Sequence, residues 1–357
     1  MPKAKPVGKV QTVLGLIDAE DLGITLTHEH CFLDNSVWLV KPTKTSEMLF
    51  VNQPVCLENL WWVRYHPFSN LDNIQFLDEE LAISELSRFK RAGGSTIVDM
   101  SNINYSQDPL ALARVSRATG LNIIMGTGYY VEPTYPPEWQ PDEEKIIDQI
   151  VRDVTIGASN TGIRAGVMGQ LGLSWPMTEK EKLTLRAEAR AQKITGVAMK
   201  ISCGRSPDSP FQAIEILDSV GADLSRVSFD HTDRTIRRHE IRVKLVKTGC
   251  YLEYSLFGFE GWYPHRIVLS EENPKRADVP NDNGRIDDIM ALIDEGFLNQ
   301  ILISHDHAWK THLCRYGGPG YAHLLHNVVP LMREKGMPEE HIHALLVDNP
   351  KRFLQIR

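Results

Sequence analysis

Cysteine is scarce and unpatterned in this sequence. Cys31, Cys56, Cys203, Cys250 and Cys314 are scattered, odd in number and never arranged as CxxC. That excludes a zinc ribbon or a disulfide framework and fits a reducing compartment. Apolar runs are short as well, none approaching the roughly 20 residues that a membrane-spanning helix needs. The opening residues, Met1-Pro2-Lys3-Ala4-Lys5-Pro6, are basic but lead into no apolar signal core. Basic stripes and tails are missing, and the net charge of -7 gives no nucleic-acid footprint. No GxGxxG follows the first predicted strand, which disfavours a dinucleotide fold, and no solenoid-period repeat is present. These absences leave a cytoplasmic protein with a small-molecule substrate, with no nucleic acid and no membrane as partner.

What is present is an ordinary globular composition, 42% hydrophobic and 24% charged, in 357 residues. Short β-rich runs alternate with amphipathic stretches throughout. Strands are expected at Ile24–Thr27, Thr96–Met100, Asn122–Gly126, Ile163–Gly169, Val197–Ser202, Arg226–Phe229, Cys250–Tyr254 and Ile301–Ser304. Helices are expected at Asp78–Ala92, Pro109–Thr119, Glu143–Gly157, Thr178–Gln192, Pro210–Val220, Thr235–Lys247 and Asp287–Glu295. Thr178 with Glu181 three residues later is a capping-box pattern, and Gly120, Gly196, Gly221 and Gly249 close helical runs before strands. Eight strands, nearly all followed by a helix, predict an α/β fold of the (β/α)₈ TIM-barrel type, read as one domain over residues 1–357. The longest interruption, about residues 32–76, carries Trp38, Trp61, Trp62, Tyr65 and Phe68. Such a loop either lies over the catalytic face or packs as a homodimer interface.

The strongest chemical signal is Thr25-Leu26-Thr27-His28-Glu29-His30. Alternate strand residues share a face, so His28 and His30 project together into the barrel mouth, where two imidazoles suit a divalent transition metal. The plain alternative is a pair of satisfied polar histidines at a strand end. Asp306, after the last strand, is placed to bind metal and to take a proton from water. His231 ends the sixth strand; taken alone it reads equally as ligand or structural residue, and the other ligands favour the former.

The chain resembles the phosphotriesterase family of the amidohydrolase superfamily, particularly its phosphotriesterase-related and lactonase branches. The resemblance rests on Thr25–His30, Gly126-Thr127-Gly128-Tyr129-Tyr130, Gly169–Trp175, His231-Thr232-Asp233-Arg234-Thr235-Ile236, Tyr251-Leu252-Glu253-Tyr254, Ser304–Asp306, Tyr316-Gly317-Gly318 and Asn349-Pro350. It implies a two-metal hydrolase acting on phosphotriesters, lactones and related esters. First-strand histidines and the last-strand aspartate would hold one metal, and fifth- and sixth-strand histidines the other. A fourth-strand carboxylate, from a carbamylated lysine or a glutamate, would bridge the two.

Two positions depart from that pattern. The bridging position falls on Gln170, a neutral amide, and the fifth-strand histidine position falls on Ser202, a weak ligand. Lys200 lies two residues earlier on the same strand face, roughly 6.6 Å deeper. If burial lowers its pKa, the amine can capture carbon dioxide and become a bridging carbamate. The alternatives are an ion pair with Asp230 or Asp99, or an unmodified catalytic lysine. Tyr129 and Tyr130 are expected to bind substrate or wall the pocket. Arg205 and Arg234 either meet an anionic group of the substrate through their planar forks or each pair with an internal Asp or Glu. His305, His307, His312 and His326 read mostly as supporting or surface groups.

The expected function is metal-dependent hydrolysis of an ester or lactone, with phosphotriesterase activity as an accompaniment. A divalent metal, two per chain, is implied; zinc is preferred, with manganese, cobalt or iron also suited to these ligands. Two other functions stay open. One is an amidase acting on an N-acylated small molecule; the other is a non-catalytic binding protein with a degraded metal site.

Overall fold

The computed structural model describes residues 7–260 and 279–357. The basic run Met1–Pro6 therefore lies outside the described residues. The chain opens with a hairpin of β1 (Lys9–Thr12) and β2 (Gly15–Asp18), paired antiparallel. Eight strands follow in one sheet: β3 (Thr25–Glu29), β6 (Thr96–Asp99), β7 (Asn122–Thr127), β8 (Val167–Gly172), β9 (Met199–Ser202), β10 (Val227–Asp230), β11 (Tyr251–Tyr254) and β12 (Ile301–Ile303). Between β3 and β6, the short strands β4 (Leu33–Asp34) and β5 (Gln75–Phe76) pair antiparallel and tie together the two ends of the long loop.

The ladder from β3 round to β12 is parallel throughout, in sequence order. The ring closes where β3 meets β12. Thr27 Oγ1 lies 3.2 Å from the Ile303 carbonyl oxygen, Ser304 Oγ accepts from the His28 amide at 3.0 Å, and the Asp306 amide donates to the His28 carbonyl at 3.1 Å. This is the expected TIM barrel.

Two apolar layers hold it. The outward faces of the strands pack against helices such as Glu79–Arg91, Pro109–Thr119, Glu143–Thr155 and Glu179–Thr195. The lower interior is filled by Val98, Met100, Ile124, Val167, Ala198 and Leu302, over Val10 and Leu22 of the N-terminal segment and Phe353 and Leu354 near the C-terminus. Burial of this many aliphatic side chains, each contributing about 1.5–3 kcal/mol, makes the bottom a plug rather than a pore. Polar interior residues are therefore concentrated higher up, toward the C-terminal ends of the strands.

Helix ends follow the local chemistry. Thr178 Oγ1 accepts from the Glu181 amide at 3.2 Å and Glu181 returns a carboxylate to the Thr178 amide, completing the predicted capping box. Gly196, at φ 75°, ends that helix in the left-handed conformation that glycine adopts without strain. Several boundaries differ from the sequence reading. The fourth barrel strand is Val167–Gly172 rather than Ile163–Gly169, and the helix expected from Thr235 forms over His239–Val246. The helix expected from Asp287 starts at Asp282, capped by the Asn281 side chain. Among the described residues, no helix is long and apolar enough to cross a membrane.

Candidate active site at the mouth of the barrel

The polar groups of the interior stand in two layers. In the lower one, strand alternation points Lys200, Ser228 and Glu253 inward, while Ile201, Phe229 and Leu252 join the outer core. The register between β3 and β6 shifts between Leu26 and Glu29. Strict alternation is thereby broken, and both Thr27 and His28 reach interior partners. Thr27 Oγ1 donates to Glu253 Oε1 at 2.6 Å, and His28 Nδ1 lies 3.0 Å from Asp230 Oδ2.

The upper layer holds the predicted ligands together. Asp306 Oδ1 is 3.3 Å from His30 Nε2 and 3.7 Å from His28 Nε2, and Asp306 Oδ2 is 3.9 Å from His231 Nε2. His28, His30 and Asp306 offer ligand atoms all within 4.8 Å of one another. In a tetrahedral zinc site with nitrogen and oxygen ligands near 2.0–2.2 Å, neighbouring ligand atoms are roughly 3.3–3.6 Å apart. His28 Nε2 is moreover buried with no hydrogen-bond partner among the described residues, which is costly unless an electrophile meets it. These three residues fit a divalent metal.

The backbone around the site is strained at two positions of the cluster. His231 and Asp306 adopt φ of 57° and 52°, the left-handed region that side chains with a Cβ rarely enter. Each costs roughly 1–3 kcal/mol, and such positions cluster where a site over-determines them. His231 follows directly on β10 and Asp306 stands three residues beyond the end of β12, and both turn a side chain back over the barrel mouth.

Supporting groups fix the histidines. The Ser255 hydroxyl accepts from the His231 amide at 3.0 Å and lies 2.7 Å from His231 Nδ1, which orients the ring with Nε2 facing the cavity. Burial, reinforced by the charge of Arg234, pushes the His231 imidazolium well below its usual range, so the ring is neutral as a metal ligand must be. Glu29, directed away from the cavity, accepts from Ser304 Oγ at 2.8 Å, from the His305 amide at 2.9 Å and lies 2.7 Å from His305 Nδ1. Burial would raise its pKa, but the His305 charge and these bonds outweigh that and hold it at about 2.

The residues present do not fit the second metal that the resemblance implies. Gln170 Nε2 sits 3.2 Å from His231 Nε2, an amide where a bridging anion would be needed. Ser202, opposite Asp230 in the ladder, brings only a hydroxyl. Lys200 Nζ lies 3.2 Å from Asp230 Oδ1, 3.3 Å from Ser228 Oγ and also bonds Glu253. This is the ion-pair arrangement, with Glu253 in the place that the sequence reading gave to Asp99. Asp99 instead accepts from the amides of Cys31 and Ser101. Burial lowers the Lys200 pKa, opposed by Asp230; Asp230, although buried, is itself lowered by Lys200 and His28.

Above the ligands a cavity of about 510 Å³, counted with its open mouth, is lined by Tyr130, Arg205 and Arg234 beside His30, His231 and Asp306. Asn35, Trp38 and Phe68 come from the long loop, which thus covers the catalytic face. Trp61 of the same loop is 66% exposed and takes no part in the lining. One expectation needs correcting: Tyr129 does not line the cavity. Its ring stacks on Trp139 at 4.9 Å and meets Tyr135 edge-on, outside the barrel mouth, and its amide donates to Glu188. Burial and the Glu188 charge push its hydroxyl up to about 12. The cavity takes Tyr130 instead, stacked on Tyr105 at 4.7 Å. Sequence reasoning passed over Tyr105, Asn35, Trp309 and Glu253; only Glu253, an acid within an apolar strand, carried a signal.

Comparison with known proteins bears on the family and the fold. The family profile described as Phosphotriesterase family matches residues 8–354. A protein of Dictyostelium discoideum named N-acetyltaurine hydrolase is 40% identical over 98% of this chain and 98% of its own length. A solved structure described as a resiniferatoxin-binding protein from Rhodobacter sphaeroides superposes with a TM-score of 0.92 at 31% identity, covering 98% of this chain and 95% of that one. The lactonase Lmo2620 from Listeria monocytogenes superposes at 0.75 with 25% identity, covering 98% and 99%.

Proposed function

The chain belongs to the phosphotriesterase family, a family of hydrolases, and on that footing we propose that it cleaves the amide bond of a small N-acylated molecule bearing an anionic group. The observation that carries this reading is the placement of Arg205 and Arg234 on the same cavity as His30, His231 and Asp306. Two guanidinium groups beside a metal-ligand cluster suit a substrate with a sulfonate or carboxylate at one end and a reactive carbonyl at the other. N-acetyltaurine, named for the Dictyostelium relative, is such a molecule: an acetamide ending in a sulfonate.

A divalent cation held by His28, His30 and Asp306 would lower the pKa of water and polarise the acyl oxygen, and zinc, manganese, cobalt or iron all suit these ligands. The chain's own groups do the rest. Arg205 and Arg234 bind the anionic end and orient the acyl carbon toward Asp306. Asp306 accepts the proton of the attacking water as its oxygen joins the acyl carbon. The same proton passes to the amide nitrogen as the carbon–nitrogen bond breaks, giving a carboxylic acid and an amine. Trp38, Phe68 and Trp309 wall the cavity and limit bulk water.

Ester or lactone hydrolysis is the second reading, favoured by the likeness to the Listeria lactonase and by the same proton acceptor. The test is direct: protein loaded with zinc is given N-acetyltaurine, other N-acetyl amino acids and simple lactones, with amine release and lactone opening followed separately. Amine release from anionic N-acyl substrates is the expected result. Lactone opening with no amine release would move the assignment to the second reading. Inertness toward both would leave a binding protein, as the description of the Rhodobacter structure has it for that molecule.

A further inference from the structure

One layer below the candidate ligands, the barrel interior holds a second charged cluster. Lys200, Asp230 and Glu253 are all buried, with no side-chain exposure. His28, Asp230 and Glu253 offer ligand atoms within 4.8 Å of one another, the geometry of a cation cradle. The cation in it is the Lys200 ammonium, held by Asp230, Glu253 and the Ser228 hydroxyl.

We infer that this chain binds one divalent cation rather than two, and that the Lys200 ammonium supplies the positive charge a second cation would bring to the barrel. The inference rests on the metal-dependent reading of the site, but not on the choice of substrate. Three observations carry it. The position between the two metals is Gln170, whose amide faces His231 Nε2 and brings no charge to hold two cations together. Ser202 brings a hydroxyl where the family pattern has an imidazole, a weaker ligand for a second metal. Finally, the three carboxylates of the two clusters are matched by a single metal together with the ammonium. Asp230, Glu253 and Asp306 are three negative charges; one ammonium and one dication neutralise them. A second dication would leave excess positive charge in a water-poor interior, where such charge is costly.

Metal-free protein is saturated with zinc, freed of unbound ion by gel filtration, and its zinc per chain counted by elemental analysis. One zinc per chain is expected for the natural sequence. In the Lys200→Ala variant, Asp230 and Glu253 lose their ammonium and become ligands, so the count should rise to two. If that variant is too unstable for counting without metal, its Tm should rise on zinc addition by more than the natural protein's does. Two zinc ions in the natural protein would overturn the inference, as would a Lys200→Ala variant that stays at one with no larger Tm gain. A carbamate carbon signal after incubation with ¹³C-bicarbonate, lost in Lys200→Ala, would overturn it too, because the lysine would then be an anion. Absence of zinc binding would remove the metal-dependent reading along with it. The amine-release assay stands apart from all of these, so a wrong substrate and a wrong metal count are told apart.

Discussion

His28 Nδ1 lies 3.0 Å from Asp230 Oδ2 while the other nitrogen of the same ring faces Asp306. A carboxylate behind a metal-binding histidine fixes the ring's orientation and raises its basicity, and losing one typically costs 10–100-fold in affinity. Asp230→Asn should therefore weaken zinc binding by about 10–100-fold in competition with a chelator. At saturating zinc, hydrolysis should be reduced much less. An affinity equal to that of the natural protein would show that the pairing does nothing for the metal.

Asp306 has two roles, ligand and proton acceptor. Asp306→Asn keeps its shape but removes the charge and the basicity. Loss of general-base catalysis costs about 10²–10⁴-fold in kcat. The measurement is kcat with zinc at a concentration that saturates the variant. A loss of less than about tenfold would move the proton-accepting role to another group.

Arg205 and Arg234 should act through the anionic end of the substrate. A hydrogen bond to a charged group contributes about 1.5–3 kcal/mol, so replacing either by methionine should lower kcat/KM by about 10–100-fold for a sulfonate- or carboxylate-bearing amide. A neutral N-alkyl acetamide, slow with both proteins, should show little difference between them. Equal losses on the neutral and charged substrates would mean that the arginines shape the cavity instead of reading charge.

Glu29 links the site to acid stability. Its folded-state pKa of about 2 is depressed below the ordinary carboxylate value, so its contribution is present above the unfolded pKa and fades as pH falls toward the folded one. The depression corresponds to about 3 kcal/mol. Metal-free natural protein and Glu29→Gln should therefore differ clearly in Tm at about pH 6 and converge toward about pH 3. A gap that is constant over this range would assign the effect to packing.

Much of the barrel, and the convergence of His28, His30 and Asp306, was legible in the sequence because both depend on short-range periodicity. His28 and His30 sit at a strand end, and Asp306 follows the last apolar run, so strand order alone brings them together once the ring closes. The fold and the family follow from the same pattern. The misjudged parts have identifiable causes. The fourth strand begins later than its apolar residues imply: its pairing with β7 starts only at Val167, opposite Gly126. Tyr129 and Tyr130 are adjacent, and which one faces the cavity depends on the backbone at Gly128, at φ 118°, a conformation no side-chain pattern announces. Lys200 on β9 meets Glu253 on β11 across the intervening strand β10, a contact set by barrel curvature that sequence separation hides.

The seam between β3 and β12 gives the site a part in holding the fold together. The two strands that meet there come from opposite ends of the chain, and the side chains of Thr27 and Ser304 do much of the joining. His28 and His30 belong to one side of the seam and Asp306 to the other. An ion gripped by all three is a clasp on an open bracelet: it draws together the first and last staves, and its grip adds to the stability of the closed ring by mass action. Stripping the metal should therefore loosen this seam first, making the meeting of the chain's two ends the place where the empty barrel begins to open.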